Sequence, residues 1–60
     1  MTLIQYAKIL EAGKDAVRFM DSPMKWMKAC AEDMGIKIDS DTECALCEEV
    51  YAFMKAYEDE

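Results

Sequence analysis

Apolar residues recur along this chain at three- and four-residue spacing in three separate runs, and each run predicts a helix. In the first run Leu3, Tyr6, Leu10, Gly13, Val17 and Met20 share one face, with Ala7, Ile9, Ala16 and Phe19 flanking it. Thr2-Leu3-Ile4-Gln5 has the form of a capping box, in which each side chain serves the other residue's free backbone N–H, so the helix starts at Leu3. Gly13 falls on the apolar seam. A glycine inside a helix costs roughly 1 kcal/mol relative to alanine. It either splits the run into two short helices or lets another helix come close. An unbroken helix over about residues 3–20 is the expectation.

Asp21-Ser22-Pro23 stops one helix and starts the next. Proline disfavours helical geometry at Ser22, yet it suits the first helical position, with Ser22 as the cap. The second helix is expected over about 23–34, with Met24, Met27, Cys30, Ala31 and Met34 on its apolar face and Trp26 to one side. Lys25, Lys28 and Glu32 form its wet face, and Lys28 and Glu32 are spaced to pair. Gly35 is a natural left-handed terminator. Ile36-Lys37-Ile38-Asp39 alternates as a short extended link with both isoleucines on one side.

The third helix, over about 41–57, opens with a second capping box, Ser40-Asp41-Thr42-Glu43. Leu46, Cys47, Val50, Phe53, Met54 and Tyr57 form its apolar face, and Asp41, Glu43, Glu48 and Glu49 load its start with carboxylates. Those in the first turn suit the positive end of the helix dipole. Glu58-Asp59-Glu60 reads as an acidic tail. Three helices with short connectors, in a single domain of residues 1–60, predict an all-α three-helix bundle.

A domain of 60 residues buries only about 60% of its unfolded surface. Stability is therefore expected to be marginal, which makes a homodimer, or a partner that covers apolar surface, a live alternative to a monomer. The charge sharpens the picture: 13 acids stand against 7 bases, with no histidine, for a net −6. A nucleic-acid binder shows the opposite balance, because it must neutralise phosphates. Direct DNA or RNA binding is not expected; a basic protein partner is. The asymmetry points the same way. Glu11, Asp15 and Asp21 face five bases in residues 1–31, whereas ten acids face only Lys37 and Lys55 in residues 32–60. A purely solubilising role for the acids is the plain alternative.

Met1-Thr2-Leu3-Ile4 lacks the basic start and long apolar run of a signal peptide, and no stretch is long enough to span a bilayer. Three cysteines, an odd number, fit a reducing cytosol better than a disulfide scaffold. A cytoplasmic protein without membrane contact is expected.

Cys44-Ala45-Leu46-Cys47 is the one motif-like feature. A CxxC pair at a helix start can be redox-active when the dipole lowers a thiol pKa, but here Asp41, Glu43, Glu48 and Glu49 oppose a thiolate. Zinc on Cys30, Cys44, Cys47 and a carboxylate lacks the second spaced pair of a structural site. The simpler reading makes Cys30 and Cys47 small buried hydrophobes, with Cys44 near the rim. Asp39-Ser40-Asp41-Thr42-Glu43 mimics only the start of a calcium loop, without its glycine and distal glutamate.

Enzyme chemistry is not expected either. There is no histidine for proton transfer at neutral pH, both serines read as helix caps with no base beside them, and the adjacent Glu48 and Glu49 point to different faces. No cofactor is expected. Met20, Met24, Met27 and Met34 lie at helical spacing across the first junction and read as core before binding surface. Trp26 and Tyr51 lie off the main stripes, where aromatic residues either anchor interfaces or cap a small core.

In size, acidity, helical make-up and lack of active-site chemistry, and in its acid cluster Asp39, Asp41, Glu43, Glu48 and Glu49, the chain resembles the small acidic inhibitors carried by phages and mobile elements. Anti-CRISPR proteins are the best known of these. The resemblance is to a class profile and rests on no shared motif. It implies a stoichiometric inhibitor in the host-cell cytosol that docks on the basic nucleic-acid-binding surface of a CRISPR effector. Carboxylates would there pair with the Lys and Arg that normally hold phosphates. A homo-oligomeric structural or adaptor module is the alternative, and a small Cys-ligated zinc domain a more distant one.

Overall fold

The computed structural model describes residues 1–58 and shows three helices: α1 (Leu3–Arg18), α2 (Pro23–Asp33) and α3 (Ser40–Glu58). They form a small all-α three-helix bundle. Thr2, Leu3 and Tyr6 share one surface hollow with Asp41, Thr42 and Ala45, and Val17 and Arg18 share another with Phe53 and Tyr57. α1 and α3 therefore run side by side in the same direction, with α2 returning between their ends.

Thr2 caps α1 as its sequence requires. Its hydroxyl accepts from the Gln5 N–H at 3.1 Å, and the Gln5 side chain accepts from the Thr2 N–H at 2.8 Å. The helix runs unbroken through Gly13, which is buried against α2. A Cβ on Gly13 would stand 2.7 Å from the Met27 sulfur and 3.0 Å from the Phe53 ring. The missing side chain is what lets both neighbours approach.

α1 ends two residues sooner than its apolar spacing suggests. Phe19 is the C-cap and Met20 takes a left-handed conformation, with φ +58°. The Asp21 N–H donates back to the Ala16 carbonyl at 2.8 Å, and the Met20 N–H donates to that of Val17 at 3.0 Å. This is a Schellman ending, which uses up carbonyls that would otherwise lack partners. α2 ends the same way, with Gly35 at φ +72° and the Ile36 N–H donating to the Ala31 carbonyl at 2.8 Å. The early stop follows from Pro23: Ser22 must be extended, so the chain has to leave the helix before it.

The two later caps also differ from expectation. Ser22 sits at the N-cap of α2 but its side chain makes no capping bond. Asp39, and not Ser40, caps α3: its carboxylate accepts from the Thr42 N–H at 2.8 Å, and its carbonyl accepts the first helical bond from Glu43 at 2.9 Å. α3 consequently begins at Ser40 and takes in Glu58, while Asp59 and Glu60 of the expected acidic tail lie outside the described residues.

Ile9 and Ala16 of α1, Met27 and Ala31 of α2 and Leu46 of α3 are fully buried. Tyr6, Leu10, Met24, Cys30, Met34, Ile36, Ile38, Val50 and Phe53 pack around them. Both isoleucines of the link thus turn inward together. Several residues of the expected apolar faces remain outside this core: Leu3, Met20, Cys47, Met54 and Tyr57 are exposed. Met20 is the extreme case at 94%, because the left-handed turn swings it off the α1 seam.

Candidate interaction surface

α3 is anchored inward by Leu46, Val50 and Phe53. With about 100° of rotation per residue, the remaining positions divide into separate strips. Asp41 and Glu48, seven residues apart, share one side, and both are exposed. Glu49 is exposed on the edge of α3 opposite Glu43. Glu43 is half-buried and ion-paired across the bundle with Lys28 at 3.2 Å. The cross-helix bond replaces the expected Lys28–Glu32 pair, because Lys28 leans over the Ile36–Ile38 link toward α3. Glu43, Lys28, Glu32, Ile36 and Ile38 line one open hollow.

Of the five predicted acidic positions, the structure therefore leaves three carboxylates, Asp41, Glu48 and Glu49, to solvent. Asp39 is committed to the helix cap, and the Thr42 backbone N–H holds its carboxyl below the usual carboxylate value. Glu43 is committed to Lys28. Among the described residues no cation lies within ion-pair distance of Asp41, Glu48 or Glu49, and the ion pairs present are Arg18–Asp15 and Lys28–Glu43.

The two aromatic candidates part company. Trp26 is half-buried and turned to its own chain: its indole N–H donates to Asp21 at 2.9 Å, and its ring stacks on Phe19 with centroids 5.7 Å apart. Asp21 also accepts from the Ser22 N–H at 2.7 Å. The Trp26 bond first and the Ser22 bond second hold its carboxyl below the usual value. Tyr51 projects to solvent at 73% exposure.

Cys44 and Cys47 are both exposed, which corrects the expectation that Cys47 is buried, and Cys30 is half-buried. Among the described residues no three His, Cys, Asp or Glu side chains are placed to hold one metal ion. Cys30 is accordingly not gathered with Cys44 and Cys47. Leu3 and Phe19, which the spacing alone assigned to the face and flank of α1, add exposed apolar surface, as does Ile4. Among the described residues no helix is long and apolar enough to cross a membrane.

The architecture defines a small all-α three-helix bundle. Compared with protein-family models, with curated proteins and with solved structures, the chain matches none.

Proposed function

We propose that this protein is a non-enzymatic inhibitor of the cytoplasm that binds a basic, nucleic-acid-binding surface on a protein target. A CRISPR effector complex is the leading target, as for anti-CRISPR proteins encoded by phages. The inhibitor blocks DNA or RNA engagement by charge mimicry. One observation carries the reading: among the described residues Asp41, Glu48 and Glu49 stand exposed with no cation within ion-pair distance, while Asp39 and Glu43 of the same cluster are committed within the bundle. Carboxylates displayed on a rigid helix can meet the Lys and Arg of a phosphate-binding groove without reorganising first.

The test is capture of nucleic-acid enzymes from a lysate by tagged protein, at low and high salt, with the captured complex's own DNA or RNA as competitor. The expected result is capture of one nucleic-acid-binding complex that weakens with salt and is displaced by its nucleic acid. Glu48→Lys with Glu49→Lys should abolish that capture while far-UV circular dichroism stays helical, since neither side chain is buried or bonded. Capture that survives the reversal refutes charge mimicry.

A further inference from the structure

α3 displays two thiols side by side. Cys44 and Cys47 are both free and exposed, while Cys30 is half-buried on α2. Residues three apart on a helix are neighbours, with Cβ atoms about 5–6 Å apart. Cys44 also lies three residues after Asp41 and four before Glu48, so the same spacing sets an exposed carboxylate on either side of it. Among the described residues no cation lies within ion-pair distance of either carboxylate. A thiol pair of this kind can exchange with a disulfide, and the flanking negative charge selects which disulfide approaches.

We propose that Cys44 and Cys47 form a thiol–disulfide exchange site for a cationic low-molecular-weight disulfide, and that the bond they form loosens the second half of α3 from the bundle. This inference stands apart from the proposed function and needs no target protein. One thiolate attacks a sulfur of the incoming disulfide and expels one of its halves as a thiolate, which takes a proton from solvent. The other cysteine, one turn away, gives up its proton and attacks the protein-bound sulfur of the mixed disulfide, expelling the second half. Two protein thiols are thereby oxidised, and one small disulfide is reduced to two thiols. The carboxylates around the pair hold the thiols protonated, so exchange is slow. They also draw in a cation in preference to an anion such as oxidised glutathione.

The bond does not fit a regular helix. Its Cβ atoms must close to about 3.5–4.5 Å, which tightens the turn from Cys44 to Cys47 toward the geometry in which residues three apart eclipse. Complete tightening over those three steps would turn the rest of α3 by about 60° and lengthen it by about 1.5 Å relative to its start. Val50 and Phe53, which pack on the core, lie beyond that turn, and the Phe53 ring is the one that reaches Gly13. The closed loop is so short that the entropy it removes from the unfolded chain is small. Strain outweighs it, and the bond is easily reduced.

The test is to incubate the full chain with cystamine at about pH 8, near the ordinary thiol value, and to follow it by mass spectrometry. The wild type should end as a monomer lacking two hydrogens, with the bond in the tryptic peptide 38–55 and Cys30 still free. Cys44→Ser and Cys47→Ser should each stop at a mixed disulfide, and Cys30→Ser should behave as the wild type. Cystamine should react roughly tenfold faster than oxidised glutathione at low salt, and added salt should narrow that gap. The oxidised chain should melt about 5 °C or more below the reduced one, and dithiothreitol should restore the original Tm. Stable mixed disulfides on the wild type, or covalent dimers, overturn the exchange site. Equal rates for the two reagents overturn the choice of a cation, and an oxidised Tm at or above the reduced one overturns the loosening of α3.

Discussion

Two helices of this protein end in the same hydrogen-bonded turn, but only one has glycine at the left-handed position, so Met20→Gly should stabilise the fold. A left-handed backbone costs an L-residue about 1–2 kcal/mol because Cβ crowds the following carbonyl. Glycine escapes that cost but gives back about 0.5–1 kcal/mol through its greater freedom in the unfolded chain. The Met20 side chain is 94% exposed, so its removal forfeits almost no burial. The net gain is about 0.5–1 kcal/mol. For a 60-residue domain unfolding near 60 °C, each kcal/mol corresponds to about 8 °C, so Tm should rise by about 4–8 °C. Gly35→Ala is the reciprocal control. A Cβ there meets nothing within 4 Å, so only the backbone term acts, and Tm should fall by a similar amount. Thermal melts at 222 nm measure both. If Met20→Gly leaves Tm unchanged or lowers it, the left-handed strain at Met20 is not what limits this turn.

Gly13→Ala should destabilise despite its better helix propensity. The gain of about 1 kcal/mol is set against overpacking of about 1–3 kcal/mol where the new methyl meets the buried Met27, for a net loss of about 1 kcal/mol; a raised Tm would mean that α1 and α2 are not in such close contact. Asp21 gives a pH signature: its folded-state pKa is depressed, so its contribution is full above the usual value of 3.8 and is lost only as pH falls through the lower folded value. Trp26 emission should therefore hold steady down to that range and then change, and Asp21→Asn should remove the step.

The number and type of the elements were legible because three apolar periodicities agreed with caps, a proline and a glycine at their boundaries. What escaped was decided by competition between similar local signals. Asp39, Ser40 and Asp41 are all good N-cap residues, and a cap one position earlier changes nothing in the apolar pattern downstream. The end of α1 was hidden because methionine occupies a position that sequence reasoning reserves for glycine. Lys28 found Glu43 in preference to Glu32 because the fold of the 36–38 link brings α3 within reach, a tertiary fact with no signature in α2. The exposure of Cys47 and Met54 had a visible cause. α3 carries apolar residues on two neighbouring stripes, and a single-face reading merged them into one, although a bundle of this size can bury only the stripe of Leu46, Val50 and Phe53.

This division of α3 is what separates function from stability. Four of the five fully buried side chains belong to α1 and α2, and α3 contributes only Leu46. The outward positions of α3 can therefore be altered with little consequence for the core, which is unusual latitude for a marginal 60-residue domain.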